Sequence, residues 1–223
     1  MSASRADPKP VLDRGSFASA VEVSRETLDR LETYADLLNQ WQRAVQLVAP
    51  STLGNIWGRH FADSAQIFGL VPASAARWVD LGSGAGFPGL VAALMSMDRG
   101  GCRFALVESD TRKAAFLREV VRQTRAPVDI FPVRIELHST HASVGKCDVI
   151  SARALAPLDK LLGLALPYWK ADTVGLFLKG REAEQEIAAA RAKWSFEHRL
   201  VPSLSDPEGR IVVVGNLGAK TEG

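Results

Sequence analysis

The spacing of apolar residues along the chain changes near residue 77. From Ser24 to residue 45, apolar side chains recur every three or four positions, which predicts an amphipathic helix with Ser24 as its N-cap. A second helical stretch is predicted from about residue 55 to residue 70, and Pro72 ends it. After residue 77, apolar runs of four to six residues alternate with longer helical stretches. The pattern therefore predicts a helical first third followed by an α/β domain.

The second part of the chain predicts seven strands. Strands are expected over residues 78–81, 103–107, 128–133, 148–151, 174–178, 196–201 and 210–215, and helices over 89–97, 111–124, 157–169 and 182–193. Alternation of strands and helices gives a mostly parallel sheet with helices on both faces. The last two strands lack a helix between them, which predicts an antiparallel pair. A seven-stranded, Rossmann-like sheet with an antiparallel last strand resembles the class I methyltransferase fold, whose enzymes use S-adenosyl-L-methionine (AdoMet).

Length and composition set the expected organisation and compartment. We expect residues 1–20 to be a flexible N-terminus, 21–72 a helical extension and 73–223 the cofactor-binding domain. Hydrophobic residues make up 47% of the chain and charged residues 23%, as in soluble globular proteins. The two cysteines imply no disulfide framework, and no apolar run approaches a membrane span, so we expect a cytoplasmic protein without a membrane. The net charge of +2 argues only weakly for a polyanionic partner.

A glycine-rich loop follows the first predicted strand. Gly82, Gly84 and Gly86 allow the backbone to turn sharply and to approach a ligand closely. The loop also matches the G-x-G-x-x-G pattern, so by itself it leaves NAD and AdoMet open. Asp80 favours AdoMet, because a carboxylate there can support the methionyl ammonium group directly or through water. The pyrophosphate of a dinucleotide would be repelled at the same place.

Acidic and polar residues at the next two strand ends suggest an adenosine site. Glu108 ends the second strand, 22 residues after Gly86, where a carboxylate accepts hydrogen bonds from both ribose hydroxyls. The alternative for Glu108 is an acid favoured by the dipole of the following helix. Backbone groups of Ile135 and Glu136, after the third strand, are expected to bond the adenine edge, and the alternative there is an ordinary polar loop.

The fourth strand ends in Ser151, Ala152 and Arg153, where class I methyltransferases face the transferred methyl group. The Asn/Asp-Pro-Pro-aromatic signature of amino-directed enzymes is absent. Cys102 and Cys147 begin strands at the opposite end of the sheet and are poor nucleophiles for carbon methylation. We therefore predict an acceptor with a free electron pair and no catalytic base. Arg153 is expected to orient a phosphate, a base edge or the cofactor carboxylate, and the alternative is a surface ion pair.

Basic residues on two segments are candidate RNA contacts. Arg118, Arg122 and Arg125 share one helical stripe, for which a solvated helix face is an equally good interpretation. Lys179 and Arg181 follow the fifth strand, at the ligand-bearing end of the sheet, and are better candidates.

Histidines occur in two of the remaining polar segments. On the second N-terminal helix, Arg59 and His60 are RNA candidates, and Arg59 is also expected to pair with Asp63 four residues later. His138 and His141 are interpreted as loop residues, and no metal site is predicted because no further ligands accompany them.

Over residues 25 to 215 these segments together resemble the RsmG (glucose-inhibited division protein B) family of bacterial 16S rRNA methyltransferases. The segments that carry the resemblance are 59–64, 80–89, 113–118, 151–154 and 178–180. The resemblance implies methyl transfer from AdoMet to N7 of a guanine in the decoding-region loop of 16S rRNA, free or in the small ribosomal subunit. By position it places Gly82 and Phe87 in the cofactor loop, Ile135 and Glu136 beside adenine, and Arg153 as the family arginine.

Two other functional classes stay open on the sequence. One is an NAD(P)-dependent oxidoreductase that uses the same glycine loop. The other is a non-catalytic RNA-binding module on a methyltransferase fold. Neither the oligomeric state nor the docking of RNA follows from the sequence, and a monomer is the working expectation.

Overall fold

The structure is a computed structural model that describes residues 13–220, and its centre is one seven-stranded sheet. The strand order is β3-β2-β1-β4-β5-β7-β6, in which β7 runs antiparallel to both neighbours and the other pairs are parallel. The strands are β1 Arg77–Leu81, β2 Arg103–Val107, β3 Val128–Phe131, β4 Val149–Arg153, β5 Val174–Lys179, β6 Trp194–Pro202 and β7 Arg210–Ala219. The predicted seven-stranded sheet with an antiparallel last strand is confirmed.

Helices cover both faces of this sheet. They are α1 Arg14–Ala20, α2 Arg25–Trp41, α3 Asp63–Phe68, α4 Gly89–Ser96, α5 Thr111–Thr124, α6 His138–Val144, α7 Leu158–Ala165 and α8 Ala183–Ala190. Two 3-10 segments, Pro50–Asn55 and Leu166–Tyr168, and one π-helical segment, Trp57–Ala62, complete the described elements. Ser24 caps α2 as predicted, since its side chain accepts from the Thr27 amide.

The stretch that we expected to fray contains the helix α1. Asp13 and Ser16 form a reciprocal capping box at its start, and Phe17 is fully buried against Trp57 and Phe61. Burial of one aromatic side chain contributes roughly 1.5–3 kcal/mol, which offsets part of the conformational entropy lost when a short helix is ordered. The expectation of flexibility is therefore wrong for residues 13–20, and residues 1–12 lie outside the described range.

Two further segments differ from their predicted form. Residues 50–68 form a 3-10 turn, a π-helical segment and a short α-helix in place of one helix over 55–70. His138 and His141 lie on the helix α6 and not in a loop, because the Thr140 hydroxyl and the His141 ring bond the Arg134 and Ile135 carbonyls. These bonds are local, but the apolar pattern of this segment is too short to reveal them.

The hydrophobic core lies on the two faces of the sheet. One core cluster joins the N-terminal helices to α4 and α5, and the other lies under α6, α7 and α8. Leu31, Tyr34, Ala35 and Leu38 form the buried stripe of α2. Because the first cluster is continuous from α2 into the sheet, α2 packs against α4 and α5 as part of the same core. The domain boundaries at residues 20 and 72 stay predictions.

Candidate cofactor and substrate site

The glycine loop after β1 has the backbone conformation that its sequence predicts. Gly82 and Gly86 have φ values of 65° and 97°, in the left-handed region that side chains disfavour. A Cβ on Gly82 would lie 2.5 Å from a Leu155 methyl, and one on Gly86 would lie 2.6 Å from the Tyr34 hydroxyl. The loop therefore needs glycine at both positions, for backbone conformation and for close packing.

A cavity of about 400 Å³ opens beside this loop, and we call it the cofactor cavity. Its volume lies within the range of small-molecule sites. Seven of the predicted cofactor residues line it: Gly82, Gly84, Phe87, Glu108, Ile135, Glu136 and Arg153. Asp80 and Gly86 do not line it, since they support the loop from below.

Glu108 pins the glycine loop through both of its carboxylate oxygens. Its Oε2 accepts from the Gly84 amide at 2.7 Å, and its Oε1 accepts from the Asp110 amide at 2.8 Å. The side chain is 8% exposed and borders the cavity. A carboxylate has about four acceptor sites, so each oxygen keeps a lone pair for a hydroxyl donor such as those of ribose.

Asp80 lies behind the loop and not in the cavity. Its side chain is fully buried and its Oδ1 accepts from the Ser151 hydroxyl at 2.6 Å, since Asp80 and Ser151 are paired neighbours on β1 and β4. Its Oδ2 has no hydrogen-bond partner among the described residues. Burial raises the pKa of Asp80 to about 6, against the opposing effect of the Ser151 bond. A direct contact with the ammonium group is therefore not available to Asp80 in this arrangement, and an indirect one stays a prediction.

The loop after β3 offers donors to a ligand. The Ile135 carbonyl accepts from the Tyr168 hydroxyl at 3.0 Å and from the His141 Nε2 atom at 2.8 Å. Its acceptor capacity is therefore filled by the protein. Both Ile135 and Glu136 line the cofactor cavity, so Ile135 can still present its backbone amide to an adenine edge, and Glu136 its backbone groups.

Arg153 is held by a hydrogen bond to His60. Its Nη2 donates to the His60 Nδ1 atom at 2.8 Å, so the proton of the imidazole lies on Nε2, which contacts the Thr52 hydroxyl at 2.9 Å. Burial, followed by the charges of Arg153 and Arg59, lowers the pKa of His60 to about 3. His60 is therefore neutral at physiological pH and is 6% exposed. A buried and uncharged ring is a poor partner for an RNA phosphate, and an RNA contact by His60 stays a prediction.

Phe87 lies inside a stack of rings. His60 stacks on it at 4.8 Å between centroids, Tyr34 stacks on it at 5.4 Å, and the Arg153 guanidinium lies 4.9 Å from its centroid. Phe87 is 3% exposed, so little of the ring is left to stack on a nucleic-acid base. Its ring instead supports the guanidinium from one side.

A second cavity of about 540 Å³ adjoins the first, and we call it the second cavity. The two share Leu47, Arg153, Ala154 and Leu155, so Arg153 stands at their junction. The walls of the second cavity come from the π-helical segment, the start of α3, the end of β5 and the connection between β6 and β7.

Ion pairs in the second cavity correct two predictions. Arg59 pairs with Asp206 at 2.8 Å and not with Asp63, because the wider π-helical turns remove the expected alignment four residues apart. Lys179 pairs with Glu186 at 2.7 Å, and its side chain is only 8% exposed. Lys179 therefore fastens β5 to α8 and is a poor contact for an RNA phosphate.

The basic stripe on α5 is also altered. Arg122 forms a bidentate pair with Glu119, and Arg125 ends the helix in the left-handed conformation at φ 56°. Arg118 and Arg181 are exposed and form no ion pair with any residue from 13 to 220. These two side chains are the better candidates for phosphate contacts.

The sequence did not predict the roles of two polar residues of the site. Ser151 orients Asp80, and Thr52 holds the Nε2 side of His60. A small polar residue inside an apolar strand is a weak signal for Ser151, and no pattern in the sequence points to Thr52.

Between residues 13 and 220, no three His, Cys, Asp or Glu side chains come together as a metal site. None of the helices in that range combines the length and apolarity needed to cross a bilayer.

Comparisons with known proteins agree with this geometry. Residues 27–212 match the family model GidB, described as rRNA small subunit methyltransferase G. The ribosomal RNA small subunit methyltransferase G of Parvibaculum lavamentivorans is 51% identical over 93% of this chain and 91% of its own length.

Solved structures show the fold. The cofactor-bound Rv0187 from MTB has a TM-score of 0.60 at 13% identity and covers 95% of this chain and all of its own. The SAH-bound methyltransferase PaMTH1 of Podospora anserina has a TM-score of 0.55 at 13% identity, over 87% of this chain and 97% of its own. The family match covers most of the chain, and on that evidence the chain belongs to the rRNA small subunit methyltransferase G (GidB) family.

Proposed function

We propose that this chain transfers a methyl group from AdoMet to N7 of a guanine in the decoding-region loop of 16S rRNA. The observation that carries the proposal is the pair of adjoining cavities with Arg153 at their junction. One cavity has the groups for an adenosine cofactor, and the other has room for a base. Membership of the family supplies the class of reaction.

The residues of the cofactor cavity fit AdoMet. Glu108 keeps acceptor sites for the ribose hydroxyls, and the amides of Ile135 and Glu136 can donate to adenine ring nitrogens. The glycine loop leaves backbone open to the cavity, and Gly84 has no protein side chain within 4 Å of a Cβ position. When bound there, AdoMet supplies a methyl group activated by its sulfonium sulfur.

Methylation at N7 requires little acid–base catalysis by the protein. Guanine N7 has a lone pair in the ring plane, so no proton must leave before attack. The nearest imidazole, His60, is a poor base, because both of its nitrogens are engaged and its pKa is about 3. The protein therefore contributes alignment, which is worth ~7–11 kcal/mol in well-oriented reactions. Arg153, fixed by His60 and Phe87, orients the base or the cofactor carboxylate.

The RNA partner is 16S rRNA, free or within the small ribosomal subunit, which places the reaction in the cytoplasm. Arg118 and Arg181 are the candidate phosphate contacts, since both are exposed and unpaired within the described residues. Phosphate contacts make the affinity fall as salt rises.

The test is a methyl-transfer assay with mass mapping of the modified nucleotide. Deproteinised 16S rRNA and assembled small subunits are offered separately with AdoMet, and rRNA from cells with and without the chain is compared. We expect one N7-methylguanine in the decoding-region loop. A methyl group on another atom, or calorimetry in which NAD binds and S-adenosylhomocysteine does not, contradicts the proposal.

A further inference from the structure

The second cavity contains one carboxylate that lacks an ion pair within 4 Å among residues 13–220. Asp63, Glu186 and Asp206 all line this cavity. Asp206 is paired with Arg59, and Glu186 is paired with Lys179. Asp63 makes no ion pair within 4 Å with any residue of the described range 13–220. Its charge also favours the cationic form of Arg153, which lines the same cavity.

Asp63 is also deeply buried. It is 8% exposed, and its Oδ1 accepts from the Ser203 hydroxyl at 2.6 Å. One such bond leaves most of the acceptor capacity of a carboxylate unused. A largely buried carboxylate that lines a cavity and keeps unused acceptor positions favours a ligand that brings N–H groups to it. The chemistry that fits is a flat group with two adjacent N–H donors.

We propose that the second cavity takes the target guanine and that Asp63 accepts hydrogen bonds from its N1–H and N2–H groups; this inference rests on the proposed function. N7 must face the junction of the two cavities, where Arg153 lies. The N1 and N2 edge lies on the opposite side of the purine and so faces away from the junction. Adenine has an acceptor at N1 and no amino group at C2, so it leaves Asp63 unsatisfied. Asp63 thereby selects guanine.

The same contact strengthens during the reaction. The bond that forms joins N7 to the methyl carbon, and the bond that breaks leaves its electron pair on the sulfur. No proton leaves the base, and the purine ring becomes cationic. A cationic ring makes N1–H and N2–H stronger donors, so their bonds to a carboxylate tighten in the transition state. An interaction that is stronger in the transition state than in the ground state raises kcat.

The experiment combines a protein variant with a change in one atom group of the RNA. The variant Asp63→Asn keeps the size of the side chain, and Asp172→Asn makes the same charge change at an exposed turn as the matched control. Each protein methylates ligated 16S rRNA that contains guanosine or inosine at the target position, since inosine lacks only the N2 amino group. Calorimetry with S-adenosylhomocysteine checks that each variant keeps its fold and cofactor site.

For the wild-type chain we expect a kcat on guanosine at least tenfold above that on inosine. Asp63→Asn should lower kcat on guanosine at least tenfold, with KM within threefold, and its preference for guanosine should fall below threefold. Asp172→Asn should match the wild type on both RNAs. S-adenosylhomocysteine should bind all three proteins within twofold.

Several results would overturn the inference. If the wild type prefers guanosine to inosine by less than threefold, the N2 contact is excluded. This outcome does not depend on whether Asp63→Asn folds. A slowed Asp63→Asn that keeps the full preference assigns Asp63 to structure alone. If the wild type methylates N7 but Asp63→Asn is within twofold of it, only this inference fails. If the wild type methylates no guanine N7, the proposed function fails first.

Discussion

The two adjoining cavities balance their buried charges in different ways. In the cofactor cavity, Glu108 is held by backbone amides, which orient the carboxylate and leave it free to accept hydroxyl donors. In the second cavity, an ion pair joins Arg59 to Asp206, 147 residues later, and another joins Lys179 on β5 to Glu186 on α8. The first arrangement is suited to a neutral sugar edge. The second fixes the cavity walls and leaves Asp63 as its unpaired acid.

The largest expected effect is a loss of cofactor affinity after a substitution in the cofactor cavity. Glu108→Gln replaces an acceptor-only group by one that presents an N–H to the Gly84 or Asp110 amide. Charge-assisted hydrogen bonds are worth ~1.5–3 kcal/mol each, so S-adenosylhomocysteine should bind about 100-fold more weakly. Calorimetry measures this, with the exposed Glu184→Gln as control. An affinity within threefold of the wild type would contradict the assignment of Glu108.

The next effect concerns the junction between the cavities. His60→Phe keeps a ring on Phe87 but removes the acceptor for Arg153, so kcat should fall by about 10- to 100-fold, the equivalent of one buried unsatisfied donor. The chain supplies a matched control, since Arg191 donates to the His198 Nδ1 atom in an exposed pair at 3.1 Å. His198→Phe should leave kcat unchanged. If both variants behave alike, His60 does not position Arg153.

A third test uses the pH dependence of stability to examine Asp80, the buried residue behind the glycine loop. The pKa of Asp80 rises from 3.8 to about 6 on folding, so protonated Asp80 favours the folded state and that contribution is lost as pH rises through 6. As pH rises from 4 to 6, the free energy of unfolding of Asp80→Asn should therefore increase relative to that of the wild type, by ~1–3 kcal/mol in total. Above pH 7 this difference should stay constant. Urea unfolding at each pH measures the difference.

The stability contribution of His60 should change with pH in the opposite direction to that of Asp80, which provides an internal control. Its pKa falls from 6.5 to about 3 on folding, so its contribution is present above pH 6.5 and is lost as pH falls towards 3. His60→Gln should therefore lose less stability than the wild type on acidification over that interval. Parallel pH profiles for Asp80→Asn, His60→Gln and the wild type would refute both assignments.

The smallest effect sharpens the distinction between structural and RNA-facing cations. Arg181→Ala should weaken RNA binding about threefold and reduce the salt slope by about one, with no change in stability. Lys179→Ala removes a buried ion pair and should lower the free energy of unfolding by ~1–3 kcal/mol. Filter binding over a salt series and urea unfolding measure the two. Equal effects on RNA binding would restore Lys179 as a surface contact.

Local patterns located the cofactor cavity, because its residues follow strand ends at fixed spacings. Glu108 and Gly84 are 24 residues apart and belong to successive strand–helix units. The same reasoning did not foresee the burial of Lys179 and His60, since a sequence shows that a residue is basic but not whether a partner neutralises or buries it. It also missed α1, whose stability depends on Phe17 packing against a segment about 40 residues later.

The sequence by itself determined the order of strands and helices, the antiparallel ending, the glycine loop and the family, because periodicity, turn chemistry and motif spacing are local properties. The tertiary structure alone decided which charges remain available. The contact between Arg153 and His60 spans 93 residues, and that between Arg59 and Asp206 spans 147. Burial and pairing depend on what the folded chain brings within a few ångströms, and linear spacing does not encode that distance.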